Sequence, residues 1–370
     1  HLVKTDGFGD TLWTRRYGGS LEESANSVQQ TTDGGYILAG HTWSFGAGSS
    51  DFYLVKTDSQ GDTLWTRRYG GSGGDWASCV QQTADGGYIL AGETQSFGTG
   101  SSGFLVKTNS SGDTIWTRFY GGVSVDGFSS IQQTADGGYI AAGRTWSYGV
   151  GTYDFYLVKT NSQGDTLWTR TFGGFFVDEA YSVQQTADGG YVVAGSTQSF
   201  GAGAPSRFNF YIVKTNSQGD SLWTRTYGDG LTWEVAYSVQ QTTDGGYIIA
   251  GHRELSGIDE GGCWLIKTGP DQLDAEPIRV KTPNEYVLHP NLPNPFNAST
   301  QIIYELPRAG RVTLAVFNLL GEEVARLVDE VQVAGMHTVA FDGSGVASGV
   351  YLCRLQAEGR VQARKMVLLK

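Results

Sequence analysis

The stretch that decides the fold is QQTADGGY, residues 81–88. Consecutive positive φ angles are tolerated best by Gly, Asn and Asp, so its Asp-Gly-Gly core predicts a tight hairpin between two strands. Close copies begin at Gln29, Gln132, Gln184 and Gln240, and the spacing from one copy to the next is 51 to 56 residues. A fixed period of this size predicts a propeller, a solenoid or another array of repeats.

One repeat unit, residues 77–122, contains four strands that can be read from the sequence. They are Ala77–Thr83, Tyr88–Thr94, Phe104–Thr108 and Asp113–Tyr120. Turn-forming residues separate them, and no helical period of apolar residues interrupts the series. Four antiparallel strands per period predict the blade of a β-propeller.

The number of units predicts an all-β chain with five blades, or the truncated part of a larger propeller. For five blades, we expect Asp10–Gly19 to supply the missing fourth strand of the last unit, Ala236–Thr268, and so to close the ring. His1–Thr5 is then surplus, because Cys263–Thr268 already provides the last third strand. The surplus strand marks a truncated larger propeller, lies free, or lets residues 1–5 self-associate with another molecule by β-augmentation.

The repeat stops at residue 269, and three segments follow from this. Residues 1–269 are predicted to form the propeller, residues 270–282 a polar linker, and residues 283–370 a β-sandwich of the Ig-like kind. Alternating apolar residues such as Val312, Leu314 and Val316 indicate strands with one buried face.

The tail carries a recurrent set of motif residues. They are Pro293, Asn294, Pro295, Phe296, Asn297, Gly349, Tyr351 and Lys365. In this order they resemble the C-terminal sorting domain, type A, of the type IX secretion system. The resemblance implies the outer-membrane secretion machinery as a partner, and a secreted or cell-surface location in a Gram-negative bacterium. The blades resemble the repeat β-propellers found ahead of such tails, which implies no activity.

Composition excludes several partners and compartments. The net charge is −11, and residues 270–370 hold 10 basic against 11 acidic side chains, so the repeats carry nearly all of the excess. An acidic surface repels a phosphate backbone, so nucleic acid is not expected as a partner. No apolar run is long enough for a transmembrane segment. The three cysteines are scattered and odd in number, which does not support a disulfide framework.

A carboxylate precedes the first Gln of every copy by six residues. These residues are Glu23, Asp75, Asp126, Asp178 and Glu234. One interpretation is a ring of ligands on one face, an electronegative funnel or a site for a cation such as calcium. The other, which we favour, is structural: each carboxylate accepts hydrogen bonds from the next blade or pairs with an Arg of the fourth strand. A contact that every blade needs repeats, whereas a ligand site usually does not.

Aromatic residues of the connecting loops are candidate contacts for a glycan or another surface polymer. The main candidates are Trp43, Trp76, Trp146 and Trp233. Pyranose rings stack on aromatic faces beside carboxylates and amides, so this composition suits sugar binding. The alternative is that the rings only fill space between blades.

No catalytic motif stands out. The histidines lack metal-ligand spacing, and neither a nucleophile elbow nor a phosphate-binding loop occurs. We therefore expect a non-catalytic secreted module for binding, adhesion or extracellular assembly, with no cofactor. The alternative is a carbohydrate-active hydrolase with its site on the divergent last blade, at residues 252–254 and 258–260, since glycosidases need carboxylates in different roles.

Overall fold

A computed structural model describes residues 1–255, 261–270, 286–332 and 335–369, which are all β and turn. The chain is divided into two compact units, His1–Leu273 and Asp274–Lys370. The all-β prediction is confirmed within these ranges. The predicted linker, residues 270–282, lies outside the described residues except for Pro270.

The first unit contains four sheets of four antiparallel strands, each joined in chain order. Blade 1 comprises β3 (Glu23–Gln30), β4 (Tyr36–Thr42), β5 (Asp51–Thr57) and β6 (Thr63–Tyr69). Blade 2 comprises β7 (Asp75–Gln82), β8 (Tyr88–Thr94), β9 (Ser102–Thr108) and β10 (Thr114–Tyr120). Blade 3 comprises β11 (Asp126–Gln133), β12 (Tyr139–Thr145), β13 (Asp154–Thr160) and β14 (Thr166–Phe172). Blade 4 comprises β15 (Asp178–Gln185), β16 (Tyr191–Thr197), β17 (Asn209–Thr215) and β18 (Ser221–Tyr227). The predicted four-stranded repeat is confirmed.

Smaller sheets lie at the two ends of this array. Strands β1 (Leu2–Thr5) and β2 (Thr11–Arg15) pair with each other and form a half-blade. Blade 5 has three strands, β19 (Thr232–Gln241), β20 (Tyr247–Leu255) and β21 (Gly261–Lys267). The predicted closure by Asp10–Gly19 is therefore wrong for this structure, because β2 pairs with β1 and not with β21. The surplus first strand is not free.

The half-blade packs on blade 1 just as the third and fourth strands of each blade pack on the next. Trp13 meets Tyr36 edge to face at 5.8 Å, and Trp65 meets Tyr88 in the same way at 5.9 Å. The Tyr17 hydroxyl donates to the carbonyl of Gly61 at 2.8 Å, as Tyr69 does to Gly112. These contacts hold β2 beside β1, and they explain why β2 does not pair with β21 of blade 5.

The repeated Asp-Gly-Gly turn forms because each of its residues has a separate task. Gly34 has a φ angle of +83°, which disfavours a side chain. A Cβ on the next residue, Gly35, would lie 2.1 Å from the carbonyl oxygen of Thr57. Asp33 accepts hydrogen bonds from the Gly35 amide at 3.0 Å and from the Lys56 ammonium at 3.1 Å. The turn thus fastens the first hairpin of a blade to its third strand.

Each junction between blades is one hydrophobic cluster with two sides. Every blade has a forward face towards the next blade, which in blade 2 includes Ile89, Ala91 and Leu105. Its neighbour contributes a backward face, which in blade 3 includes Phe128 and Ile131. First strands of neighbouring blades also contact each other. The core of the first unit is therefore a series of such clusters between blades.

The second unit contains two sheets. One has the order β22 (Val287–Leu288), β23 (Ser299–Leu306) and β26 (Gly335–Asp342). The other has the order β25 (Glu323–Gln332), β24 (Gly310–Phe317), β27 (Gly349–Ala357) and β28 (Arg360–Leu368). Side chains of both sheets, among them Tyr304, Leu314 and Leu355, belong to one buried cluster.

Replacing Asp136 by Asn tests the turn. Burial opposes ionisation of Asp136, but hydrogen bonds from Lys159, Thr134 and the Gly138 amide outweigh it and lower its pKa to about 2. A carboxyl group whose pKa is lower in the folded than in the unfolded state stabilises the fold at pH values above its unfolded pKa. This stabilisation is lost as the pH falls towards 2. We expect Asp136→Asn to lower the free energy of unfolding at pH 7 by about 1–2 kcal/mol. The difference from the parent should shrink steadily between pH 4 and pH 2.

Urea unfolding at both ends of this pH range measures the effect. Asp165→Asn is the matched control, since the partners of Asp165 lie at an exposed turn: Arg118 at 3.5 Å and the Asn161 side-chain amide at 3.1 Å. An equal loss for both variants, or a loss at Asp136 that does not depend on pH, would contradict the role given to the turn.

Candidate binding site

The repeated carboxylates lie inside the protein. Asp75, Asp126, Asp178 and Glu234 are fully buried, and only Glu23, in blade 1, is partly exposed. In blade 3, Asp126 accepts hydrogen bonds from the Gly122 amide at 2.8 Å and from the Ser147 hydroxyl at 2.6 Å. Such bonds tie the loop that enters a blade to the end of its second strand. Burial and these bonds make the carboxylates part of the frame, and four of the five are not exposed to a ligand.

The partners of these carboxylates differ from the predicted ones. They are hydroxyl groups and amides of the same blade and its entry loop, and among the residues that the structure describes no Arg of a fourth strand bonds to them. Blade 5 differs, because Arg253 occupies the position of the threonine and places its Nε 3.8 Å from Glu234 Oε1. Fourth-strand arginines instead reach the next blade's turn, as Arg67 does to Asp113 at 3.2 Å.

Two of the four predicted tryptophans, Trp43 and Trp146, lie on exposed loops, and Trp233 lies on the first strand of blade 5, β19. Trp43, Trp146 and Trp233 are 43%, 52% and 43% exposed. Trp146 packs on Tyr153 at 5.6 Å and Trp233 on Phe208 at 5.8 Å. The fourth, Trp76, also lies on a first strand, β7. The structure does not bring the loop tryptophans and the carboxylates together into one site.

Another set of residues converges where the blades differ from one another. Along the first and second strands most positions keep the same type of side chain in all blades, but three positions change in size and charge. Two lie one and three residues after the carboxylate, and the third lies on the second strand, opposite the first of these. We call the set the variable band: Ser24, Asn26, His41, Trp76, Ser78, Glu93, Gly127, Ser129, Arg144, Glu179, Tyr181, Ser196, Val235, Tyr237 and His252.

Strand pairing puts these positions side by side. Trp76 is directly opposite Glu93, Gly127 opposite Arg144, and Glu179 opposite Ser196. Directly opposed residues in an antiparallel pair project from the same face of the sheet. Each blade therefore presents its variable side chains as one patch on its two first strands.

Contacts between blades join the patches into a band. Arg144 of blade 3 bonds Glu93 of blade 2 at 3.3 Å and Glu179 of blade 4 at 2.9 Å. The Tyr181 hydroxyl donates to Glu179 at 2.7 Å, and the Tyr181 ring lies 5.3 Å from that of Tyr237 in blade 5. The band thus continues from blade 2 to blade 5 through charged and aromatic side chains.

An open cleft of about 320 Å³ lies within the band. Its lining includes Trp76, Glu93 and Arg144, with the hydroxyl groups of Ser78 and Ser129 beside them. Gly127 keeps the cleft open, because a Cβ there would lie 3.0 Å from Glu93 Oε2. An aromatic face next to carboxylate, guanidinium and hydroxyl groups is a suitable surface for a sugar ring.

Sequence reasoning singled out two members of the band, Trp76 as a candidate sugar contact and His252 within residues 252–254, and missed the rest. The other candidates repeat in every blade, and residues that repeat serve the frame. The signal was present in the sequence, because aligning the copies on their Gln pair shows three positions that vary inside an almost constant background. Which of these positions share a face depends on the register, and a bulge after Ala77 shifts that register.

The predicted hydrolase site on blade 5 is described only in part. Arg253 bonds Asp229 and the Thr232 hydroxyl, while Glu254 is exposed. Residues 258–260 lie outside the described residues. Within the described ranges no group of three or more His, Cys, Asp or Glu side chains is placed to hold a metal ion. Nor does that part of the chain include a helix long and apolar enough to cross a membrane.

The motif residues of the tail meet in space. Asn294 donates from its amide nitrogen to the Lys365 carbonyl at 2.9 Å and accepts from the Val367 amide at 2.9 Å. Phe296 is buried and continues this pairing with two backbone hydrogen bonds to the last strand, β28. Tyr351 is also buried, and its hydroxyl donates to the Ala347 carbonyl at 2.6 Å. The two ends of the motif therefore form one local structure.

Comparison with protein families identifies the tail. Residues 292–369 match the family described as the secretion system C-terminal sorting domain. The predicted resemblance and location are confirmed: the tail is a type IX sorting domain and marks a protein secreted to the cell surface of a Gram-negative bacterium. Such a tail implies interaction with the secretion machinery. No curated protein matches the sequence.

Solved structures give weaker likenesses. PorZ, a surface component of the type IX secretion system of Porphyromonas gingivalis, is 10% identical with a TM-score of 0.35 over 94% of this chain, which spans only 51% of PorZ. An endo-arabinase from Bacteroides thetaiotaomicron is 12% identical with a TM-score of 0.36, covering 67% of this chain and 96% of its own. An arabinoxylan arabinofuranohydrolase from Bacillus subtilis is 11% identical with a TM-score of 0.32, covering 92% and 95%. At these TM-scores none of them assigns a function to this chain.

The structural role of the buried carboxylates has a testable pH dependence at Asp178. Burial, which outweighs its hydrogen bonds, raises the pKa of Asp178 to about 6, and the nearby Asp154 adds to the effect. A raised carboxyl pKa means that the folded state holds a proton which the unfolded state has lost, so this group makes stability fall as the pH rises from about 4 to 6. We expect Asp178→Asn to lack this decline and therefore to gain stability relative to the parent over that interval.

Thermal unfolding of both proteins at pH 4 and pH 8 measures the difference. Asp220→Asn, at an exposed turn carboxylate, serves as the control and should run parallel to the parent. A constant offset between Asp178→Asn and the parent at all pH values would contradict the assignment.

Proposed function

We propose that this protein is a non-catalytic carbohydrate-binding module of the bacterial surface. The scaffold we propose is a β-propeller of five blades followed by an Ig-like sandwich that serves as the export signal. The variable band is the binding surface, and the ligand is a glycan or a surface polymer with exposed sugar rings.

One observation carries this proposal. Side chains that differ between nearly identical blades come together on a single surface, although they lie far apart in sequence. Trp76 and Glu93 belong to blade 2, Arg144 to blade 3, and Tyr237 to blade 5. The repeat itself brings equivalent positions together, but it does not require these three to differ in size and charge while most of their neighbours stay nearly constant.

The chemistry of the band favours binding over hydrolysis. A glycosidase needs one carboxyl group that can give a proton and another that acts as base or nucleophile. Glu93 and Glu179 are instead both held by the guanidinium of Arg144. Two carboxylates fixed to one cation are suited to orienting the hydroxyl groups of a sugar.

The alternative is a carbohydrate-active hydrolase with its site on blade 5. Its support is that this blade departs most from the others, with Arg253 where the other blades have threonine and with the exposed Glu254 following it. An enzyme of this kind would turn over a polysaccharide that the parent protein binds.

Aromatic substitutions in the band test the binding site. A glycan array screened with the full chain identifies a ligand, and calorimetry then measures its dissociation constant. We expect Trp76→Ala and Tyr237→Ala each to weaken binding about tenfold or more, because a stacked ring is lost. Trp43→Ala, an exposed aromatic outside the band, should change it less than about twofold. If Trp43→Ala weakens binding and Trp76→Ala and Tyr237→Ala do not, the ligand lies on the loops.

Hydrolysis assays on the same preparations separate the two functions. The binding function predicts no release of reducing sugar by the parent protein. If the parent protein hydrolyses the polysaccharide and Glu254→Gln abolishes that activity, the protein is the hydrolase of the alternative proposal. If Glu93→Gln or Glu179→Gln abolishes it, the variable band itself is catalytic.

The export role of the tail is tested at Asn294. Asn294→Ala removes both hydrogen bonds to the last strand, and we expect a clear fall in the fraction of protein that reaches the cell surface. Gln356→Ala, at an exposed residue of the same domain that lies outside the motif, is the matched control and should be exported like the parent. Surface labelling of intact cells measures the fraction, and equal export of the parent and the Asn294 variant would contradict the role of this contact.

A further inference from the structure

The turn between β24 and β25 of the tail, residues 318–322, has the same hydrogen bonds as a turn that recurs in the blades. In blade 2, the side-chain oxygen of Asn109 accepts from the backbone amides two and four residues later, both at 2.9 Å. In the tail, Asn318 accepts from the two corresponding amides, both at 3.0 Å. The glycine of the turn has a φ angle of +78° at Gly112 and +82° at Gly321. The two turns are therefore one kind of local structure.

The two residues at the tip of this turn differ between the blades and the tail. Blades 1 to 4 have Ser-Gln or Ser-Ser at the tip, at residues 59–60, 110–111, 162–163 and 217–218. The tail has Leu319 and Leu320, which are 71% and 84% exposed. Since the blades form the same turn with polar residues, the turn does not need leucines to fold. Large apolar side chains that lie together at the surface mark sites of interaction.

The turn holds the two leucines in a fixed position. The Asn318 side-chain amide donates to Glu322 Oε2 at 2.8 Å, and the Gly321 amide donates to the Asn318 carbonyl at 3.1 Å. Strands β24 and β25 pair with each other on both sides of the turn. A contact that is already ordered loses less conformational entropy when it binds a partner. The tip is thus presented in a form ready for binding.

Charge and context indicate what kind of partner covers the tip. Residues 318–325 include two glutamates and neither Lys nor Arg, and Glu322 is exposed beside the leucines. Segments that enter an anionic lipid surface carry basic residues next to their apolar ones. A protein pocket therefore suits this tip better than a membrane. The domain that presents it is a sorting domain, which acts through the secretion machinery.

We propose that the leucine tip, Leu319 and Leu320, docks into an apolar pocket of the outer-membrane secretion machinery. The buried motif residues, such as Phe296 and Tyr351, build the domain, and the tip is the part that the machinery holds. Burial of a leucine side chain strengthens binding about tenfold or more, so the pair supplies a substantial part of the affinity.

A variant that copies the blades tests the tip without changing the turn. In Leu319→Ser/Leu320→Gln the full chain should unfold at the temperature of the parent, because the blades form this turn with the same two residues. We expect the fraction that reaches the cell surface to fall about tenfold, with the rest in the periplasm. Surface labelling of intact cells, followed by fractionation, measures both pools.

Two controls separate the tip from other apolar surface. Leu319→Met/Leu320→Met keeps the tip apolar and should be exported like the parent. Val331→Ser removes a 73% exposed valine at the opposite end of the same hairpin, and it should also be exported like the parent. Parent-level export of the Ser-Gln variant, or an equal loss in the Val331 variant, would overturn the proposal.

Photo-crosslinking in cells tests the contact directly and decides the matter if the Ser-Gln variant proves less stable than the parent. A photoreactive residue replaces Leu320 in one full chain and Val331 in another. We expect position 320, and not position 331, to form an adduct with an outer-membrane component of the secretion system. An adduct with lipid, an adduct within the chain, or none at position 320 would show that the tip is not held by the machinery.

Discussion

One buried ammonium group organises each of blades 1 to 4. The lysine of the third strand, for example Lys159, is 3% exposed, and its charge is satisfied by Asp136 of the hairpin turn and by the carbonyl of Thr160. An unpaired charge at this depth would be costly, so strand, turn and carboxylate have to be present together. The second glycine of the turn belongs to the same constraint, because a Cβ at Gly138 would meet both the Thr160 oxygen and the ammonium. This dependence explains why the turn sequence repeats with so little change.

The local sequence pattern was enough to predict the strands of a blade. It was not enough to predict how the strands at the two ends of the array pair. The predicted strand Tyr88–Thr94 has the observed bounds, and the others of that blade agree within two residues. Closure failed because strands β1 and β21 have nearly the same sequence, and sequence cannot say which of two equal candidates occupies a position. The choice depends on packing of the half-blade, where Trp13 and Tyr17 fix β2 against blade 1. These contacts join residues 23 positions apart (Trp13 and Tyr36) and 44 positions apart (Tyr17 and Gly61), and they leave no local pattern.

The candidate site, like the fold, could be predicted from the sequence only in part. A carboxylate that recurs in every blade is easy to find, and it proves to be buried in a network of hydroxyl groups and amides. The residues that differ, such as Glu93 and Arg144, carry no motif, and their proximity follows from strand pairing and from the stacking of one blade on the next. Their place in the fold could be predicted from an alignment of the copies. Their contacts across blades could not, because these depend on the twist between sheets and on side-chain length.

The contact between Asn294 and the last strand bears on when the sorting domain can be recognised. The two parts of the sorting motif are separated by 71 residues in the chain and touch only when the strands between them have assembled. A receptor that recognises the combined surface has nothing to hold on a nascent or misfolded tail. Recognition then doubles as a check on maturation, and the outer membrane would pass only molecules whose final domain is complete.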